Sequence, residues 1–230
     1  MARLHIIGTS HIAPESLKKV EKVILNEKPN IVAIELDKKR LFALLSKEKQ
    51  KVSFRDIKRV GFKGWLFAVF GAWAERKLGA KVGVSPGSEM LRAVAMAQHI
   101  NAKVALIDQD IEITLRRFSR ALSWKEKGTF LVDLFKGLVL RKGINIDLAK
   151  VPSHDVIKKL IADVKKRYPN VYRVLVLERN EYMAKRLALI MQQHPEDHII
   201  AVVGAGHEKE IAKLLKRYLK PEKETPSKKR

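Results

Sequence analysis

Two apolar runs, one near each end of the chain, finish in the same pattern, Gly-x-x-His. Leu4-His5-Ile6-Ile7 leads into Gly8-Thr9-Ser10-His11, and Ile199-Ile200-Ala201-Val202-Val203 leads into Gly204-Ala205-Gly206-His207. The carboxyl ends of parallel strands in an α/β sheet open onto one crevice, where ligands bind. Glycine there lets backbone and ligand approach closely. The repeat therefore predicts that residues almost 200 positions apart fold into one site.

The segments between support a wound sheet. Pro14 suits the first turn of a helix, and Leu17, Val20, Ile24 and Leu25 follow at helical spacing. After the breaker Lys28-Pro29-Asn30, Ile31-Val32-Ala33-Ile34 reads as a second buried strand closed by Glu35, with a helix expected from about Asp37 to Lys49. Such a βαβ unit implies parallel pairing. Pro86-Gly87 precedes a helix expected from Ser88 to His99, and Val104-Ala105-Leu106-Ile107 reads as a strand closed by Asp108. A final helix carries Ile211, Leu214, Leu215 and Tyr218. The expected fold class is α/β, with a mostly parallel central sheet, flanking helices and long helical insertions at about 53–85 and 118–170. One domain is expected over 1–218, with a charged tail at 219–230.

Composition narrows the function. The 230 residues contain no cysteine, which excludes disulfides, zinc–thiolate sites and a thiol nucleophile. Arg3 and His5 interrupt any N-terminal secretory signal, so a cytoplasmic setting is expected. The formal net charge of +22 attracts anionic partners, yet no nucleic-acid recognition motif accompanies it, and no specific nucleic-acid partner is predicted. The apolar stretch Gly64 to Ala74 is too short for a bilayer, which needs roughly 20 residues. With Leu131 to Leu140 it brings Trp65, Trp73 and Phe135, as core, as a homodimer interface or as contact with an anionic membrane surface.

The polar residues closing the four strands are His11, Glu35, Asp108 and His207. Two imidazoles and two carboxylates form a donor set suited to manganese, cobalt, zinc or iron more than to calcium. Taken singly, each carboxylate has a plainer role: Asp108 could cap the next helix, and Glu35 could pair with Arg40. Glu89 opens a helix whose dipole favours a carboxylate. Arg116 and Arg117 lie about two helical turns beyond Asp108. Glu178-Arg179-Asn180-Glu181-Tyr182 follows the apolar run Val174 to Leu177 in a long helix, a cluster that alone reads as a solvated face. His5 reads as a buried strand residue; with His99, His154, His194 and His198 it stands outside the predicted site. There is no Gly-x-Ser-x-Gly elbow, Walker A loop or His-Glu-x-x-His helix.

These pieces together resemble the TraB/PrgY (pheromone-shutdown) family, archaeal type, related to the GumN and Tiki proteins. The matching segments run nearly end to end: Gly8-Thr9-Ser10-His11 with Pro14-Glu15-Ser16; Val32 to Asp37 with Arg40; Gly87-Ser88-Glu89-Met90; Asp108-Gln109-Asp110-Ile111 with Ile113 to Arg117; Glu178-Arg179-Asn180 with Tyr182-Met183; and Val202 to His207. The resemblance implies an EreA/ChaN-like α/β fold. Through Tiki it implies a metal-dependent protease whose site would comprise His11, His207, Glu35 and Arg40. In two respects the chain departs from the pattern. Gln109 stands where arginine is common, which predicts loss of a local ion pair. The C-terminal membrane region of many relatives is not seen, which predicts no anchor.

The function expected is a divalent-metal-dependent hydrolase acting on a peptide or small molecule. His11, Glu35 and His207 are the expected metal ligands, and Glu89, Arg40, Asp108, Arg117, Glu178, Arg179 and Asn180 the expected catalytic set. A binding protein that sequesters a peptide in the same crevice is the alternative.

Overall fold

The structure, a computed structural model, describes residues 2–9, 14–46, 58, 61, 87–126, 128–129, 132–133 and 162–219. Among the described residues four strands carry the fold: β1 (Arg3–Thr9), β2 (Ile31–Ile34), β3 (Lys103–Leu106) and β4 (His198–Gly204). All pair in parallel, in the order β1-β4-β2-β3. The last strand thus enters the middle of the sheet, between the first and the second. This is the α/β architecture expected from the sequence.

The continuous apolar runs of β2 and β4 follow from burial on both faces. Val32, Ile34, Ile200 and Val202 face one way, against Val20 and Ile24 of α1 (Pro14–Glu27). The same layer receives Met90, Ala93, Val94 and Ala97 of α3 (Ser88–His99). Ile31, Ala33, Ile199, Ala201 and Val203 face the other way, against Met183, Ala184 and Leu187 of α6 (Glu178–Gln193). Ile211 and Leu215 of α7 (Glu208–Tyr218) complete that layer. Three layers result, and β4 is buried almost throughout.

Helix boundaries follow local chemistry. Asp37 caps α2 (Lys38–Leu45) by accepting from the backbone N–H groups of Lys39 and Arg40. α2 closes at Leu45, with Ser46 as its C-cap, rather than running on toward Lys49; positions 47–50 lie outside the described residues. Gly87 enters α3 with a left-handed φ of 83°, which explains why glycine serves there. Asp110, not Asp108, caps α4 (Ile111–Ala121), accepting from Glu112 N–H. That releases Asp108 for another task.

α5 (Pro169–Tyr172) runs directly into a widened π turn, Arg173–Leu177, and then into α6. The buried Glu126 carboxylate ties the start of α5 to residues 123–126. It accepts from Asn170 N–H at 2.7 Å, Asn170 Nδ2 at 2.9 Å and Ser123 Oγ at 2.8 Å. Most of the insertions predicted at 53–85 and 118–170, with Trp65, Trp73, Phe135 and His154, and the tail from 220 onward lie outside the described residues. Among the described residues no helix is long and apolar enough to cross a membrane.

Two outcomes test this packing. Ile200→Ala, at a fully buried position of β4, is expected to destabilise by about 3 kcal/mol in urea unfolding. At Glu126, burial pushes the carboxyl pKa up, but the hydrogen bonds from Asn170 and Ser123 outweigh it and hold the pKa below its ordinary value. Its stabilisation is therefore complete above the ordinary carboxylate range and lost as pH falls through the lowered value. Melting temperatures of wild type and Glu126→Gln should differ at pH 7 and converge in acid; a constant gap would contradict this.

Candidate functional site

The carboxyl edge of the sheet gathers the charged residues. β2 continues its ladder one step, with Glu35 N–H donating to Val202 O at 3.1 Å. That step turns the Glu35 side chain into the edge, where Oε2 accepts from Gly204 N–H at 2.6 Å. On the other flank of β2, Ile107 N–H donates to Ile34 O at 3.1 Å and delivers Asp108 to the same edge. Both carboxylates are buried, at 2% and 6% exposure.

Arg179, in the first turn of α6, joins them. Its Nε donates to Asp108 Oδ1 at 3.0 Å and its Nη2 to Asp108 Oδ2 at 2.8 Å, a two-point grip. The same Nη2 also donates to Glu35 Oε1. Nη1 reaches the Leu175 carbonyl at 3.3 Å, inside the π turn. Burial pushes the guanidinium pKa down, but attraction to Glu35 and Asp108 outweighs it and holds the pKa above its ordinary value. Arg40 supports Asp108 from the α2 side through Nη1 at 3.0 Å. Two carboxylates and two guanidiniums balance in charge.

His207 sits beside this cluster. As N-cap residue of α7 it makes no side-chain capping bond, and its ring turns inward. Nδ1 lies 2.6 Å from Asn180 Oδ1, which can only accept, so Nδ1 carries a proton, and in the neutral ring the lone pair falls on Nε2. Nε2 faces Arg179 Nη1 at 3.5 Å and Glu35 Oε1 at 3.4 Å. Asn180 is itself buried, at 1% exposure.

The two Gly-x-x-His patterns begin on neighbouring strands, with Thr9 opposite Gly204. Ala205 N–H donates to Thr9 O at 2.8 Å and extends that pairing beyond the strands. A Cβ on Gly8 would collide with the Glu208 carboxylate and come within 3.2 Å of Ala205 Cα. The glycine opening the first pattern thus makes room for the residue that follows the second. His11 lies outside the described residues.

Several expectations need correction. Glu35 pairs with Arg179 rather than Arg40, because Arg40 is taken by Asp108. Asp108 is not a helix cap. Residues 178–180 are not one solvated face: Arg179 and Asn180 point inward, while Glu178 turns outward to Arg117, with Nε at 2.5 Å and Nη2 at 2.9 Å. Arg117 and Glu178 thus satisfy each other away from Glu35 and His207. The Gln109 amide bonds Thr114 Oγ1, and Asp108 takes two arginines from elsewhere. His5 is not buried, with 42% of its side chain exposed and Nδ1 on Glu27 at 2.7 Å. Glu89 is buried in the first turn of α3, which packs on β2.

The family model described as "TraB/PrgY/gumN family" matches residues 2–222. The chain belongs to the TraB/PrgY/gumN family. It is 35% identical to a Methanocaldococcus jannaschii protein named "Uncharacterized protein MJ1365", over 93% of this chain and 53% of that protein. It is 26% identical to the "TraB domain-containing protein" of Mus musculus and to that of Homo sapiens, over 90% of this chain and 61% of each. The chain thus spans between half and two thirds of the length of these relatives.

Removing one partner from a buried ion cluster strands the others. Asp108→Ala is expected to cost 3–5 kcal/mol, an order-of-magnitude figure, in chemical denaturation. A loss below about 1 kcal/mol would match a solvated pair instead.

Proposed function

We propose that this TraB-family chain is a hydrolase, working on a peptide bond at the carboxyl edge of its sheet. The observation that carries the proposal is His207. Asn180 holds a proton on Nδ1, so that the neutral ring presents its Nε2 lone pair 3.4 Å from a buried carboxylate and 3.5 Å from a guanidinium. A nitrogen donor, a carboxylate and a fixed cation, held side by side in a water-poor edge, are the parts that acyl-transfer chemistry needs.

A divalent metal ion belongs to the proposal, and the donors fit one. Two ligands about 2.1 Å from a tetrahedral ion lie about 3.4 Å apart, the separation of His207 Nε2 from Glu35 Oε1. The hydrogen bond on Nδ1 is the support that metal-bound histidines receive. His207 and Glu35 would hold the ion, and His11 is proposed as the third ligand. Among the described residues no group of three or more His, Asp or Glu is gathered for a metal. When bound, the ion would supply a water acidic enough to ionise near neutral pH.

The remaining residues have separable roles in the proposal. Arg179, held by Asp108, keeps N–H donors at this edge for a carbonyl oxygen that gains charge. Arg40 holds Asp108 in place behind it. Asn180 holds the proton on Nδ1. Arg117 and Glu178 act on neither, since they bond each other. A second reading, sequestration without turnover, draws on the charge balance of the cluster: a neutral, fully paired crevice wall is also what a binding protein needs.

The experiment is cleavage of an internally quenched peptide library with manganese, cobalt or zinc supplied. Hydrolysis is expected in wild type and should drop on the order of 100-fold in His207→Ala. Peptide binding by calorimetry with no cleavage under any metal would instead establish sequestration.

A further inference from the structure

The position that a metal ion would take between Glu35 and His207 already holds a cation. Arg179 Nη2 donates to Glu35 Oε1, and Nη1 stands 3.5 Å from His207 Nε2. A divalent ion bound to both of those atoms would lie against the guanidinium, where like charges in a buried setting repel strongly. Both arrangements cannot be occupied at once.

The same side chain has somewhere to stay. Its two-point grip on Asp108 uses Nε at 3.0 Å and Nη2 at 2.8 Å, and the bond to the Leu175 carbonyl adds a third hold at 3.3 Å. Nη2 serves both acids, so clearing Glu35 requires the guanidinium to turn while its Nε bond holds it on Asp108. Arg40 holds Asp108 from the far side, so that carboxylate would not follow. We propose that Arg179 is an exchangeable plug: it neutralises Glu35 when the metal is absent and withdraws onto Asp108 when the metal enters. This inference rests on the metal-dependent reading above and concerns its regulation.

The consequence is that Arg179 lowers metal affinity while stabilising the metal-free protein. Calorimetric titration of Co²⁺ alone into the purified full chain reads this directly, in wild type, Arg179→Met, Arg179→Lys and each combined with His207→Ala. Arg179→Met removes the competing charge, and tighter binding by ~10-fold or more is expected. Because that change also leaves two buried carboxylates short of a cation, it can cost the fold. Arg179→Lys keeps a charge that can rest on Asp108 but lacks the planar fork that spans both acids, and an intermediate gain is expected. A thermal melt checks that each variant is folded. The gain in either folded variant must vanish when His207→Ala is added.

Equal Co²⁺ affinity in wild type and the Arg179 variants, lost with His207→Ala, would overturn the plug and leave the metal site standing. Co²⁺ binding that does not depend on His207 in any variant would overturn both the plug and the metal reading.

Discussion

A parallel sheet that ends two of its strands in buried acids needs a cation at the same place, and here that cation is Arg179. Asp108 and Glu35 leave β3 and β2 at the same edge, within reach of one guanidinium. Desolvated carboxylates are unfavourable unless paired and hydrogen-bonded. Arg179 pairs both, and Gly204 N–H, Gln109 N–H and Arg40 take further oxygen positions. One side chain on α6 therefore ties the ends of β2 and β3 together, and Glu35 carries the tie to β4 through Gly204 N–H. His207 inherits its placement from that arrangement, through Asn180, the neighbour of Arg179 in sequence.

Much of the fold was legible in the sequence because burial on both faces writes itself as unbroken apolar runs. Ile31 to Ile34 and Ile199 to Val203 have no alternation to confuse with a half-exposed strand. The helix from Ser88 to His99 matches its expected bounds, since Gly87 offers a left-handed entry that few residues adopt. Strand order is a different matter. Nothing local in the last strand says that it inserts between the first and second; that follows from pairing across the whole chain.

The site was legible as a set of residues and much less as a set of contacts. Strand-end position brought out Glu35, Asp108 and His207 without any help from helices. The pairing among them was not readable, because Arg40 and Arg179 are equally able arginines, and only the tertiary path of α6 decides which meets Glu35. The Glu178–Asn180 cluster misleads because successive helical residues point about 100° apart, so Glu178 turns to Arg117 while Arg179 and Asn180 turn inward. Glu208 was missed as well. Its signal was the absent side chain at Gly8, which makes sense only once β1 and β4 are known to be adjacent.

The pairing of β1 with β4 also constrains how the chain reaches its fold. Thr9 Oγ1 donates to Val203 O across a separation of 194 residues. Among the four described strands β1 is made first, yet its neighbour in the sheet is β4, made last of the four. Contacts of such separation form late, because loop closure must precede any reward from pairing. Until residues 198–204 emerge, β1 and β2 are an exposed edge each, with a vacant lane between them. An apolar, unpaired strand in that interval invites other chains. Maturation of this sheet thus depends on β4 arriving before a stranger fills the lane.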